Sequence, residues 1–514
     1  MSLYPRIRLG DLCEKITDGT HHSPTNLPQG SFKYITAKNI KPWGLDLTDL
    51  SYVDERTHRE IYARCDVKKG DILYIKDGAT TGVAAINTLE EEFSLLSSVG
   101  VLRPGPAIRP KYLLYVLQEP ETKSKMMDGI AGVAITRLTL RKLNDAEVPV
   151  APLAIQDRIV EKLEELLSDL DAGVAELKAA QKKIAQYRQS LLKAAVEGSL
   201  TADWRAKNPP AESGAQLLQR ILTERRARWE AKQLAKFNEQ GKTPPKDWQK
   251  KYPEPVQPES ADLPELPELP EGWVWATVDC LLSGIETGKS FKCVERPPTA
   301  DETGVVKVSA VSWGEYDEQE SKTCTDEERV SPELMVKSGD FLFSRANTVE
   351  LVGACVIAKK VSLNVMLSDK ILRLVLVLDE LKPWLLYLLR SKIGRRQIEL
   401  LATGNQESMK NIGQERLRSI AIPLGPKGEL DYAIALVEQE LTSASQQISA
   451  NEFGLKQATA QRQNILRAAF SGQLVPQDPN DEPASVLLAR IRAEQAAAAV
   501  PKHPRTRLHT RELA

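Results

Sequence analysis

Residues 188–200 read RQSLLKAAVEGSL, and residues 462–474 read RQNILRAAFSGQL. Seven of these thirteen positions are identical, and most of the others exchange side chains of similar shape. Self-similarity at a fixed offset decides architecture before any local signal does. The echo runs well beyond this phrase. VKKGDILY at 67–74 returns as VKSGDFLF at 336–343, and KYLLYVL at 111–117 as PWLLYLL at 383–389. ITRLTLRKLNDAEVPV at 135–150 aligns with MKNIGQERLRSIAIPL at 409–424, and LLQRI at 217–221 with LLARI at 487–491. The offset stays between 269 and 274, as small loop insertions would produce. The 514-residue chain is therefore two copies of one unit, a domain duplication and not a solenoid.

Each copy has two parts. In the first, short apolar runs such as DILYI, GVAAI and VGVLRP are broken by Gly, Pro, Asn and Asp, which predicts strands, with helices such as PKYLLYVL between them. The fold class is α+β. In the second part, Leu163, Leu170, Leu177, Ile184 and Leu191 fall seven apart, with Leu166 and Ala180 among the intervening positions. Ile434, Leu441, Ile448 and Leu455 repeat that spacing, with Val437, Ala444, Ala458 and Ile465 between them. Both patterns are heptad seams. Some forty helical residues span roughly 60 Å at 1.5 Å per residue. Neither helix can bury its stripe alone. The expectation is one antiparallel coiled coil, with the two globular parts at its ends and related by a pseudo-two-fold axis.

The bulk composition is that of a soluble protein, 42% hydrophobic and 27% charged. Six scattered cysteines fit a reducing compartment, MSLYPRIRLGDL has no signal-peptide apolar core, and no window approaches eighteen apolar residues in a row. A cytoplasmic protein is expected. The net charge of −1 is silent about polyanions, but the charge is polarised locally. Residues 188–251 carry fourteen Lys or Arg against seven Asp or Glu, and residues 252–271 carry six acids, six prolines and no base. The basic helix either faces phosphates or is a solvated face laced with internal ion pairs; the proline-rich piece reads as an extended linker.

Catalytic strings fail on spacing. GIETGKS at 284–290 puts three residues between its glycines where a phosphate loop needs four. NPPA at 208–211 lacks the aromatic ring that an amino-methyltransferase stacks on a flipped base. The E-x-K spacing of ELK at 176–178 falls in the heptad seam. His21 and His22 have no further ligand at metal-binding spacing. No catalytic and no metal residue is expected.

What remains is a pair of scaffolded polar loop sets, alike in framework and unlike at their tips. TDGTHHSP at 17–24 and ETGKSFKC at 286–293 share a glycine and then diverge; KDGATTG at 76–82 stands where SRANTVELVG stands at 344–353. Arg and Lys suit guanine edges and phosphates, and Asn suits adenine. From loop position and side-chain type, the candidate DNA contacts are Thr20, His21, His22, Lys38, Asn39, Lys76, Thr80, Thr81, Arg137 and Arg141 in copy one. In copy two they are Lys289, Ser290, Lys292, Ser344, Arg345, Asn347, Lys410 and Asn411.

Together, GDILYIKDGATTG, ITRLTLRKLNDAEVPVAPLAIQDRIVEKLEELL, the repeated phrase, ERRARWEAKQLAKFNEQGKTPPKDWQKKYPEP and LPELPEGWVWATV make the chain resemble the specificity subunits of type I restriction–modification enzymes over nearly its whole length. The resemblance implies target-recognition domains at 1–150 and 272–425 and helical spacers at 151–200 and 426–474. A central basic helix and Pro-rich acidic linker would occupy 201–271, and a C-terminal helix and basic tail 475–514. It implies a non-catalytic subunit that binds double-stranded DNA, two modification subunits and restriction subunits. S-adenosylmethionine, ATP and Mg2+ would sit on those partners, and the assembly would methylate adenine and cleave DNA. One departure stands out: GPKGELDYAIALVEQEL at 425–441 lacks the Pro-Leu-then-Gln helix start of APLAIQDRIVEKLEEL. A coiled-coil scaffold that never touches DNA is the competing reading, and a free-standing methyltransferase or nuclease a third.

Overall fold

A computed structural model describes residues 3–128, 137–256, 266–406, 409–476, 478 and 480–498. Part of the acidic linker, the first residues of ITRLTLRK and the basic tail lie outside the described residues. The chain divides into two compact units, one made of residues 1–179 with 451–514 and the other of residues 180–450.

In the first unit, strands Cys13–Asp18, Val99–Pro104, Ile72–Ile75 and Ala84–Ile86 form, in that order, an antiparallel four-stranded sheet. A three-stranded sheet of Ser51–Val53, Phe32–Ile35 and Ser94–Leu95 accompanies it, and Arg6–Arg8 pairs with Glu147–Pro149. The second unit repeats this plan. Leu282–Thr287, Ile371–Leu376, Phe341–Ser344 and Cys355–Ile357 form the four-stranded sheet. Ser321–Thr323, Thr303–Val306 and Asn364–Met366 form the three-stranded one, and Val274–Thr277 pairs with Ala421–Leu424. The duplication read from sequence is a duplication of topology.

The shared strings carry the contacts that build this framework. ILYI and FLFS are buried at every position, as central strands covered on both faces must be. The aspartate before each run closes the turn: Asp71 Oδ2 accepts from Lys68 N at 2.8 Å, and Asp340 Oδ2 accepts from Lys337 N at 2.8 Å. Each aspartate also receives an arginine from the neighbouring strand. Arg103 donates through Nε and Nη2 at 3.0 and 2.9 Å to Asp71, and Arg373 donates through Nε at 2.8 Å to Asp340. Helices Pro110–Gln118 and Lys382–Arg390 cover the sheets and carry an aromatic donor at the same place. Tyr112 Oη donates to Pro149 O at 3.1 Å, and Trp384 Nε1 to Pro423 O at 2.8 Å.

The long helices run Leu153–Val196 and Lys427–Ser471, and they pack together antiparallel within each unit. In the first unit Arg462 Nη2 donates to Asp171 Oδ2 at 2.6 Å; in the second, Tyr187 Oη donates to Glu440 Oε2 at 2.7 Å. Burial follows the seam through Leu163, Leu191, Val437 and Ala444. One position differs from the heptad reading: Leu167, not Leu166, is buried, because there the helix packs on the β-rich core through Ile155, Ile159 and Leu163. The second helix starts without the Pro-Leu-then-Gln pattern by an exchange of partners. Gln156 is buried and ties the first helix to Ala107 O and Ala151 O at 3.0 and 2.7 Å. Glu429 holds the matching place, accepting from Arg205 Nη2 at 2.7 Å and Trp273 Nε1 at 3.1 Å. A carboxylate with three side-chain donors, Thr201 being the third, replaces a carboxamide that bonds backbone.

The basic helix, Gly214–Glu239, belongs to the second unit. Leu217 and Ile221 enter that unit's core, as Leu487 and Ile491 of helix Ala484–Ala498 enter the core of the first. Part of its charge is laced internally, through Arg226–Glu230 at 3.2 Å and Arg228–Glu224 at 2.8 Å. Arg225 turns inward and donates to Leu282 O at 2.9 Å.

Candidate nucleic-acid interface

The two polar loop sets grow from roots built identically. Gly19 ends the first strand of its sheet so close to the neighbouring chain that an added Cβ would lie 1.9 Å from Leu95 O. At Gly288 the same atom would lie 1.8 Å from Leu367 O. Only glycine fits either place, which is why the two loops share that residue before they diverge. The third loop is fastened to the second in both copies: Leu138 N donates to Lys76 O, and Ile412 N to Arg345 O, each at 2.9 Å. Short bridges extend the link, Asp77 with Arg137 in copy one and Ala346 with Asn411 in copy two. The chain thus brings residues 18–22, 76–81 and 137 together in one unit, and 287–290, 344–347 and 410–411 in the other.

On these equal roots the side chains differ. In copy one the floor is an ion pair: Lys76 Nζ donates to Asp18 Oδ2 at 2.7 Å, with side-chain exposures of 3% and 2%. Asp18 Oδ1 faces outward to Arg64 Nη2 at 2.7 Å and His21 Nε2 at 3.3 Å, and Arg64 Nη2 also donates to His21 Nε2 at 2.9 Å. In copy two Thr287 stands where Asp18 stands, and Arg345 where Lys76 stands. Arg345 is half-buried, and its Nε donates to Asn411 Oδ1 at 3.4 Å. One floor is a neutralised lysine and the other a guanidinium on an amide.

The structure sorts the candidate residues. Thr20, His21, His22, Thr80, Arg137 and Arg141 keep at least part of their side chains in solvent, as do Lys289, Ser290, Lys292, Arg345, Asn347, Lys410 and Asn411. Thr20 shapes its turn by accepting from His22 N at 3.2 Å. Arg137 lies 3.6 Å from Asp77, and Arg141 pairs along its helix with Asp145 at 3.8 Å. Lys410 Nζ donates to Gly404 O at 2.7 Å. Lys38 is exposed but pairs with Asp49 at 2.9 Å.

Four candidates are withdrawn from the surface: Asn39, Lys76, Thr81 and Ser344 are all buried. Asn39 serves its own turn, donating to Asp46 O and Asp49 O at 3.1 and 2.9 Å. Thr81 Oγ1 donates to Gly78 O at 2.6 Å, and Ser344 ends a fully buried strand. These four shape the site from beneath. The residue that loop reading missed is Arg64, which ends helix Glu55–Arg64 and lies 43 positions from the histidine it touches.

Among the described residues, no group of three or more His, Cys, Asp or Glu is arranged to hold a metal ion, and no helix is long and apolar enough to cross a membrane. Burial pushes the Cys13 and Cys65 thiols up to about 12 and that of Cys355 to about 11, away from thiolate character.

Residues 1–184 match the family model described as the type I restriction modification DNA specificity domain. The EcoKI specificity subunit of Escherichia coli K12 is 24% identical over 477 residues, covering 90% of this chain and 88% of its own. The EcoEI specificity subunit of Escherichia coli is 32% identical over 253 residues, covering 49% of this chain and 39% of its own. A solved chain from work on complex assembly and conformational transition of the type I R-M system superposes with a TM-score of 0.58. It does so at 16% identity, over 91% of this chain and 98% of that one, a likeness of fold.

Proposed function

We infer, from the premise that this chain belongs to the DNA specificity-subunit family of type I restriction–modification systems, that each β-rich domain reads one half of an asymmetric, bipartite DNA site. The paired helices then fix the gap between the halves and dock two modification subunits, to which restriction subunits add. Being a specificity subunit, the chain is non-catalytic in itself. S-adenosylmethionine, ATP and Mg2+ would be held by the partner chains.

The observation that carries this reading is the contrast between roots and tips. Gly19 and Gly288 anchor identical frameworks, while Asp18, His21 and Lys76 on one are met by Thr287, Ser290 and Arg345 on the other. Equal frames with unequal polar tips are what two readers of two different half-sites require. A scaffold that never touches DNA has no use for the difference. Direct base contacts would come from the exposed tips, and exposed lysines such as Lys289 and Lys292 would meet phosphates.

The test is to replace residues 272–425 with the corresponding domain of another specificity subunit and to map adenine methylation in a host carrying the whole system. One half-site should change and the other stay. A change in both halves, or in neither, would overturn the modular reading. A titration across salt separates the scaffold reading: phosphate contacts make log affinity fall linearly with log salt, and a scaffold gives no response.

A further inference from the structure

The six cysteines are scattered in sequence, yet the fold of the second unit lays two of them side by side. We propose that Cys293 and Cys324 are a reversible disulfide site, which fastens the loop ETGKSFKC at 286–293 to the three-stranded sheet of that unit. Both are free thiols, half-buried, and thirty-one positions apart along the chain. The register brings them together. Val294 and Thr323 form an antiparallel bridge in which each donates its N–H to the other's carbonyl, at 2.9 and 3.0 Å. One step along each chain from that bridge, Cys293 stands opposite Cys324. The pair beside a doubly hydrogen-bonded one has no backbone bonds of its own, brings its Cα atoms to about 4.5 Å and puts both side chains on one face. A disulfide needs Cα atoms roughly 4.4–6.8 Å apart. Cys324 N keeps to this alternation by turning away from Cys293 and donating to Thr303 O at 2.8 Å. The thiols also sense one another: burial and then Cys324 raise the Cys293 thiol, while Lys322 and Arg329 draw it back.

Copy one supplies the contrast. Leu27 and Tyr52 make the same bridge, each N–H donating at 2.9 Å, and the places beside it hold Asn26 and Val53. The frame itself therefore needs no cysteine there. In copy two Gly288 N donates to Ser368 O at 3.2 Å and ties one end of the loop. A Cys293–Cys324 bond would tie the other end, with Lys289, Ser290 and Lys292 held between. The Cys324 thiol donates to Asp326 O at 3.2 Å, a weak contact that the bond would replace. The oxidant is a low-molecular-weight disulfide. One protein thiolate attacks it, forms a mixed disulfide and releases one small thiol; the second protein thiolate attacks the protein sulfur of that bond and releases another. The two cysteines lose two protons and two electrons, and the small disulfide is reduced to two thiols. Disulfides within reach of solvent are the ones that thiols reduce again, which makes the site reversible.

The experiment incubates the folded, full chain with oxidised glutathione and reads intact mass and non-reducing peptide maps. The expected product is lighter by two hydrogens and carries one peptide that joins Cys293 to Cys324; excess dithiothreitol should return the starting mass. Cys293→Ser and Cys324→Ser should each lose the joined peptide, and Cys13→Ser should keep it. Trypsin should cut after Lys292 more slowly in the oxidised chain than in the reduced one. A glutathione adduct that persists on either cysteine, a bond to any other cysteine, or a joined peptide that forms only after denaturation would overturn the proposal. Equal cleavage after Lys292 in both states would overturn the fastening of the loop. None of these readouts uses DNA, so they stand apart from the reading of half-sites.

Discussion

Removing one heptad from each long helix tests whether the helices measure the gap. Leu177 and Gly454 face one another in the antiparallel pair: a Cβ at Gly454 would lie 3.1 Å from Leu177 Cδ1. The matched deletion is therefore residues 174–180 together with 451–457. Seven residues at 1.5 Å each shorten the pair by about 10.5 Å. At 3.4 Å per base pair that is about three base pairs of duplex. The two helix faces are nearly preserved, because seven residues fall only about 20° short of two turns. The DNA is less forgiving: with about 10.5 base pairs per turn, three fewer rotate one half-site by roughly 100° about the duplex axis. The expected result is a preferred gap shorter by about three base pairs, both half-sites unchanged, and weaker binding because the duplex must twist. The assay is methylation of a library in which the two half-sites are fixed and the gap varies from zero to twelve. A complex that still methylates only at the original gap would show that the helices dock partners without measuring DNA.

The buried pair Lys76–Asp18 should behave as a unit: Asp18→Ala or Lys76→Ala alone should cost roughly 3–5 kcal/mol of stability, and Asp18→Leu with Lys76→Met much less than the sum, as measured by denaturant unfolding. Gly288→Ala forces a Cβ to within 1.8 Å of Leu367 O, so the loop root must move; recognition of one half-site should fail in site selection while the other survives. Burial raises the Cys13 and Cys65 thiols to about 12, so at pH 8 they stay protonated, with on the order of one in ten thousand as thiolate. Intact-mass analysis after iodoacetamide should find both unlabelled in the folded chain and labelled after denaturation.

The sequence was legible where one copy could be checked against the other. DILYI predicted a strand, and the aspartates of the echoed VKKGD and VKSGD proved to close the same turn and hold an arginine at the same place. The heptads located both long helices because period is a local property. Side-chain accessibility at the loops was not legible, because it depends on partners far along the chain. Lys76 follows a strand and looks like a loop cation, yet Asp18, 58 positions away, draws it inside. Arg64 looks like the charged end of a surface helix, a common and uninformative place for an arginine, until the fold lays it beside His21. Leu166 gave way to Leu167 for a related reason: a heptad describes a helix against one partner, and this helix has a β-rich core beside it as well.

The anchors common to both copies explain how such a chain can vary its tips at little cost. Leu95 O and Leu367 O set the roots, and Leu138 N to Lys76 O and Ile412 N to Arg345 O fasten the loops to each other. All of these are backbone atoms, present whatever side chain stands at the position. The side chains that do support the frame, Asp71 with Arg103 and Asp340 with Arg373, lie toward the other end of the strands, at the turns that start them. Exchanging an exposed side chain such as His21, Lys289 or Asn411 breaks none of these contacts, and a surface substitution away from them moves stability by about 0.5 kcal/mol or less. Asp18 and Lys76 are the exception, because there a buried charge pair reaches from frame to tip. Copy two has Thr287 in place of the carboxylate and keeps a cation, Arg345, which is half-buried and reaches Asn411 Oδ1, so the lone charge there is not fully withdrawn from water.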